Sequence, residues 1–331
     1  MKSFRRDLKL AIQAGDYRTA VLRDWRQLYA HSKMPLDYLH AVSFQRALGI
    51  PPKPRQIDKL QRLKEMPFLY RACLGLYGYQ MRQLENLLDY RKSNVEPAVL
   101  PRYRHQIQRW RQCQPEWLAA LEQRIEQATS IAVVGNSPIL KGKNLGTSID
   151  SADLVIRFNH FKSEHTARSD IGEKLNLWVV APGYDGPIPD NYDSILLSGP
   201  DMLWWQQNWA HLSQVTLDEA NRRITADKDR TPVISTPLNI WRDLVRELEA
   251  PPSAGILTLE LLRQLLLASP NKNSVNKLQI YGFSFAPMTT SQYHHAIPTH
   301  HAVTRHNWSA EQIYLQRVFS PNAQKHDSHS S

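Results

Sequence analysis

The chain has 331 residues, 42% of them hydrophobic, the size and composition of one large or two modest soluble domains. It carries 41 Lys+Arg against 31 Asp+Glu and two cysteines, Cys73 and Cys113, which argues against a disulfide scaffold and fits a reducing compartment. No uncharged apolar run approaches the roughly 18 residues of a membrane span, and no signal-peptide apolar region follows the basic start MKSFRRDLKL.

The charge is uneven along the chain. Residues 1–125 hold 23 Lys+Arg and 11 Asp+Glu, a net of +12; the remainder holds 18 and 20, a net of −2. Two units with different partners are expected: a basic helical region over 1–125 and an α/β unit over 126–320, followed by a polar tail at 321–331. A basic surface suits an anionic membrane face, an acidic glycan or a nucleic acid, and it is also what an ordinary solvated helical face looks like.

In chain order, LKLAIQAGDYRTAVLRDWRQLY places apolar residues at helical spacing, interrupted by Gly15-Asp16. That turn resembles a tetratricopeptide hairpin, but nothing recurs about every 34 residues. IPPKPRQ, residues 50–56, reads as a linker. Helices are expected over 56–64, 67–90 and 101–112. Another is expected to begin at Pro115, in PEWLAALEQRIEQ, with proline in its first turn. After Ser130 short apolar runs alternate with helical ones: IAVVG, DLVIRFN, LNLWVVA, DSILLSG, TPVIS and LQIYGF. The apolar helix ILTLELLRQLLLA precedes the last run. Runs of this length and composition predict a mostly parallel sheet covered by helices.

Ligands of open parallel sheets bind beyond the carboxyl ends of strands. Gly135-Asn136-Ser137 occupies such an end. Gly135 allows close backbone approach, and Asn136 both donates and accepts hydrogen bonds. A Walker loop fails, because six residues separate Gly135 from Gly142-Lys143 and Asn144 follows. A G-x-G-x-x-G fingerprint fails at Ser137. An ordinary strand-to-loop turn is the alternative. The second run ends at Asn159, the apolar helix opens with Ser253 and Gly255, and the last run ends at Gly282. Ser253 and Gly255 bring a hydroxyl and free N–H groups to a helix start, where anions are favoured. The segment YHHAIPTHHAVTRHNWSAEQ carries His294, His295, His300, His301 and His306. These suit acid–base work or a metal, although no spacing such as H-E-x-x-H is present. Trp204, Trp205 and Trp209 suit sugar stacking or a core. Ser309 and Gln312 form a capping-box pattern, so a helix is expected just after His306 with Glu311 in its first turn.

Taken in order, these segments resemble glycosyltransferase family 29, the animal-type sialyltransferases. VVGNS…G…ID…DLVIRFN…D-I-G-x-K is similar to the family's long motif, and P-S-A-G…Y-G-F to its short motif. His306 and Glu311 fit its H-x-x-x-x-E motif, and His294-His295 lies where its third motif falls. The resemblance covers about residues 126–320. It implies an α/β fold, a Rossmann-like glycosyltransferase domain with a mostly parallel sheet, preceded by the all-helical N-terminal region. It also implies inverting, metal-independent transfer of an acidic sugar from a CMP donor, with no cofactor beyond that donor substrate.

By position, Gly135, Asn136, Ser137 and Asn159 would bind CMP, and Ser253, Gly255 and Gly282 would hold ribose, base or phosphate. His294 or His295 would bind the phosphate, and His306 would be the general base, a role suited to an imidazole with an unperturbed pKa of about 6.5. Two departures bear on the reading. The family's paired cysteines are missing: Ile131 stands at one position, and no cysteine precedes Ile280. P-S-A-G replaces P-S-T-G, which leaves the donor open between sialic acid and a keto-sugar such as Kdo. The expected setting is cytoplasmic and peripheral on the inner face of the cell membrane. Residues 1–125 would meet the anionic surface or the acceptor, a glycan of surface polysaccharide or lipooligosaccharide synthesis. The alternative is a non-catalytic nucleotide- or RNA-binding protein, although no nucleic-acid module is recognisable.

Overall fold

The computed structural model of the chain describes residues 2–13, 16, 18–48, 50, 52–76, 78, 80–81, 84, 104–161, 167–181, 184, 186–198, 232–269, 274–283 and 306–319. Trp204, Trp205, Trp209, His294, His295, His300, His301 and the 321–331 tail lie outside them.

The helical region opens with α1 (Lys2–Gln13) and α2 (Thr19–Ser32), and the chain turns between them as expected. There the Asp16 N–H donates to Ala11 O at 2.9 Å, and the Asp16 carboxylate pairs with Arg18 at 2.6 Å. Helices α3 (Pro35–Ala47) and α4 (Pro54–Glu65) follow. Leu22, Trp25 and Phe44 join Val245, far along the chain, in one apolar cluster, while Ile57, Leu60 and Leu63 pack with Tyr38 and Leu39 in another. The helix expected over 67–90 is broken: α5 covers only Phe68–Cys73. It stops in a glycine cap, with Gly75 N–H on Ala72 O at 3.0 Å and Leu76 N–H on Arg71 O at 2.8 Å.

The boundary expected at Pro115 is also absent. One helix, α6 (Arg104–Gln127), runs through that proline. An interior proline costs about 3 kcal/mol. Beyond it Trp117, Leu121 and Ile125 are buried against the sheet, each worth about 1.5–3 kcal/mol, and their sum exceeds that cost. The core of the α/β unit therefore includes residues that precede 126.

All six expected strands form, and all are parallel: β1 (Ile131–Val134), β2 (Leu154–Phe158), β3 (Leu177–Val180), β4 (Ser194–Leu197), β5 (Val233–Ser235) and β6 (Leu278–Tyr281). Their order is β5-β4-β3-β2-β1-β6. In β1, Ile131 and Val133 face one apolar cluster while Ala132 and Val134 face another. Burial on both faces is why these strands read as unbroken apolar runs. Helices α9 (Leu238–Leu248) and α10 (Ala254–Ala268) add Ile240, Leu244, Leu257 and Leu261 to the larger cluster. The outer edge of β5 is closed by a side chain. Pro232 O and Thr236 N are spent on β4, and the Gln114 amide takes the next pair outward: its Nε2 donates to Val233 O at 2.7 Å and its Oε1 accepts from Ser235 N at 2.9 Å.

Two short helices, α7 (Gly146–Asp150) and α8 (Arg168–Ile171), lie beside β2 and carry a polar bracket. Arg157, on β2, is fully buried. Its Nε donates to Lys174 O at 2.8 Å, and one terminal nitrogen donates to Ile171 O at 2.6 Å and lies 3.5 Å from Asp150 Oδ1. Burial pushes its pKa down to about 10, and Asp150 opposes that shift. Asp150 also accepts from the N–H groups of Glu173 and Lys174. Asp170 accepts from Gly142 N–H at 2.8 Å and Asn144 N–H at 2.9 Å, contacts that hold its carboxyl below the usual range. The basic loop after β1 is thus tied down at 142–144.

Candidate active site

From β1 the sheet grows outward through β2 to β5, and β6 then returns to the other side of β1. The chain therefore changes direction between β1 and β6, and the region beyond their carboxyl ends is where open parallel sheets bind ligands. Gly135 and Gly282 sit at those ends. Gly135 N–H donates to Tyr281 O at 2.7 Å and Ser137 N–H to Gly282 O at 3.2 Å, so the two chains stay paired past the last strand residues.

Phe283 bears on two of the glycines, Gly135 and Gly255. A Cβ on Gly135 would lie 2.5 Å from Gly282 O and 2.9 Å from the Phe283 ring, and one on Gly255 would lie 2.6 Å from the same ring. Gly282 has φ +68°, and a Cβ there would strike Gly135 O. Phe283 also meets Phe158 edge-on at 6.0 Å. One aromatic ring thereby draws the ends of β1, β2 and β6 and the first turn of α10 to one place. In these three directions the space is filled by the protein itself.

Asn136, next in the chain, donates from Nδ2 to Phe158 O at 3.0 Å. Its Oδ1 is buried and has no hydrogen-bond partner among the described residues. A buried acceptor left open in this way costs about 1–3 kcal/mol, and a donor on a bound ligand would remove that cost. Ser137 caps the turn Pro138–Leu140, with its hydroxyl accepting from Ile139 N–H at 3.5 Å. Asn159, at φ +46°, accepts the Ala181 N–H on its side-chain oxygen at 2.8 Å. Its carbonyl accepts from Trp178 Nε1 at 2.9 Å. Its side-chain oxygen is thus committed to linking β2 with β3, and the group it has for a ligand is its NH2.

Helix α11 (Trp308–Phe319) begins directly after His306 and Asn307 as expected. The cap differs from the expected capping box. Asn307 rather than Ser309 caps this helix, its Oδ1 accepting from Ala310 N–H at 3.2 Å. Three contacts fasten 306–311 to the link between α9 and α10. His306 Nδ1 bonds Pro251 O at 2.8 Å, Asn307 Nδ2 donates to Leu248 O at 3.1 Å, and Glu311 receives the Ser253 N–H and hydroxyl at 2.6 and 2.7 Å. A carbonyl only accepts, so the ring proton of neutral His306 lies on Nδ1 and the basic lone pair on Nε2. Trp308 packs edge-on to the imidazole at 5.3 Å.

Ser253 is also the N-cap of α10, its hydroxyl accepting from Ile256 N–H at 3.4 Å. Its own N–H and O–H are committed to Glu311, so the donors that remain in this turn begin with the N–H groups of Ala254 and Gly255. Glu311 is 4% exposed, and burial pushes its pKa up to about 7 while the two Ser253 bonds oppose the shift. Since that value lies above the ordinary 4.5, the folded protein holds this proton more tightly than the unfolded chain. Its stabilising effect is full below about pH 4.5 and is lost as pH rises through about 7. Between pH 6 and 8 the parent should lose about 1–1.5 kcal/mol relative to Glu311→Gln. Paired denaturation curves measure this, and a difference that stays flat with pH would remove the buried ionisation.

The structure therefore brings Gly135, Asn136, Ser137 and Gly282 together with Gly255 and Ser253 at the start of α10, and His306 bonds Pro251 just ahead of that start. Asn159 stands one strand away, on the β2–β3 side. Sequence reasoning missed Phe283 as the wedge and Ser253 as the partner of Glu311. The Tyr281-Gly282-Phe283 run was a usable signal for the first. Among the described residues no three metal-ligating side chains cluster.

The family model described as "Glycosyltransferase family 29 (sialyltransferase)" matches residues 83–322. A comparison of the sequence with curated proteins finds no match. Among solved structures, the chain is similar to a mammalian sialyltransferase (20% identity, 70% of this chain and 82% of that chain, TM-score 0.43). It is similar in the same way to a mammalian sialyltransferase in complex with Gal-beta-1-3GalNAc-ortho-nitrophenol (20% identity, 70% and 82%, TM-score 0.41).

Proposed function

This chain belongs to glycosyltransferase family 29, and we propose that it transfers an acidic sugar, sialic acid or a Kdo-like keto-sugar, from a CMP donor to a hydroxyl of a surface glycan. The observation that supports this reading is that Phe283 holds the ends of β1 and β6 against the start of α10, beside Asn136, while His306 bonds Pro251 just ahead of that start. Cytidine would meet the open Asn136 acceptor with its donor edge. The monophosphate would lie at the α10 N–H groups, where an anion is favoured, with His294 or His295 completing its contacts. Nε2 of His306 would take the proton of the acceptor hydroxyl as that oxygen bonds to the anomeric carbon. The bond from that carbon to the phosphate oxygen breaks on the opposite face, its electron pair leaving with CMP, so the centre inverts. A monophosphate leaving group carries less charge than a diphosphate, and N–H donors with a protonated histidine suit it without a metal. The basic region over 1–125 would hold the enzyme on an anionic membrane face, near a lipid-borne acceptor.

A thermal-shift panel tests the donor. CMP should raise the melting temperature while UMP, AMP and GDP leave it nearly unchanged; equal shifts would overturn the cytidine reading. Release of CMP from CMP-sialic acid or CMP-Kdo separates a transferase from a binding protein. Cleavage of neither donor, together with salt-sensitive RNA binding, would favour the second. Asn136→Ala should weaken CMP by about 1–3 kcal/mol, read as the change in dissociation constant. An unchanged constant would take Asn136 out of the site.

A further inference from the structure

We propose that α5 is a membrane-insertion tip, whose Phe68, Leu69 and Tyr70 enter the headgroup layer of an anionic bilayer while lysines and arginines around them hold lipid phosphates. The proposal rests on the membrane reading above and on none of the nucleotide chemistry. No residue of α5 is buried. Phe68, Leu69 and Tyr70 are 72, 77 and 54% exposed, a run of three large apolar side chains in water. The tip is not loose: Leu74 and Leu76 just after it pack with Tyr38 and Leu60. The segment lies ahead of residue 83, outside the part of the chain that the family model matches.

Charge selects the occupant. Across residues 53–71 the exposed Lys53, Arg55, Arg62 and Lys64 stand against exposed Asp58 and Glu65, while Lys59 lies over the Tyr29 and Tyr38 rings and Arg71 reaches Met81 Sδ. Two copies of this chain meeting through α5 would oppose like charges. A nucleic acid would use Phe68 and Tyr70 by stacking but leave Leu69 without a partner. A lipid surface uses all three, and stable anchoring takes apolar insertion and a basic patch together.

The test uses the full chain. In a Cys113→Ser background a polarity-sensitive dye is placed on the exposed Cys73, one helical turn after Leu69. Vesicles of phosphatidylcholine alone are compared with vesicles carrying about 30% phosphatidylglycerol. The expected result is co-sedimentation and a blue-shifted dye with the anionic vesicles only, weakening as salt rises. The triple variant F68S/L69S/Y70S should bind these vesicles about tenfold or more weakly, with its response to CMP unchanged. If the parent does not bind, the membrane reading fails together with the tip. If the parent binds and the triple variant binds equally, the tip alone is wrong. Equal binding to neutral vesicles, or a dimer in light scattering that the triple variant abolishes, also overturns the proposal. The CMP response reports separately on the donor site.

Discussion

His306→Ala should reduce turnover by about 10²–10⁴-fold while leaving CMP affinity close to that of the parent. The expectation follows from how the ring is held. Nδ1–H donates to Pro251 O, so the basic lone pair lies on Nε2, the atom that would accept a proton from an incoming hydroxyl. Trp308 packs against the ring and limits its rotation. The nucleotide contacts proposed here come from β1, β6 and α10, so the base can be removed without dismantling them. The KM-against-kcat split and the CMP dissociation constant decide the matter. Equal loss of turnover and CMP affinity would reassign His306 to holding the Pro251 link in place.

Arg157→Ala should lower the stability of the fold by about 3–5 kcal/mol, seen as a shift in the denaturant midpoint. Three effects combine. The Lys174 and Ile171 carbonyls lose their donor, Asp150 loses its cation, and a large buried side chain leaves a void. Phe161, whose ring lies 5.2 Å from the guanidinium carbon, loses its contact as well. Arg157→Met should recover only part of the loss, because it fills the volume without satisfying the carbonyls. A shift below about 1 kcal/mol for Arg157→Ala would mean the bracket adds little to folding.

Which features were legible in the sequence follows from the kind of contact that makes them. Strands β1 to β5 are fully buried, so Ile131–Val134, Leu154–Phe158 and their neighbours announce themselves as runs, while edge strand β6 is only half-buried. The end of a run also marks a strand's carboxyl end, which is how Gly135 and Asn136 were placed there from the sequence. The break at Gly75 was a local signal passed over, a glycine at φ +72° capping the helix, whereas at Pro115 local preference gave way to packing, because Trp117 is held on the sheet. Side-chain contacts across long separations leave no period at all. Glu311 reaches Ser253 over 58 positions, and Arg157 binds carbonyls 14 and 17 residues away. Glu311 was legible as a favourable charge in a first helical turn, but the reason it is buried was not.

Gln114 carries a practical consequence. An outer strand with open N–H and C=O groups is a template for joining another chain, and here one amide borrowed from a neighbouring helix plays the part of a seventh strand. A recombinant fragment cut at 126 would discard that amide along with Trp117, Leu121 and Ile125. Such a fragment should come out of cells as aggregate, whereas one that begins ahead of 104 keeps its flank sealed and stays dispersed.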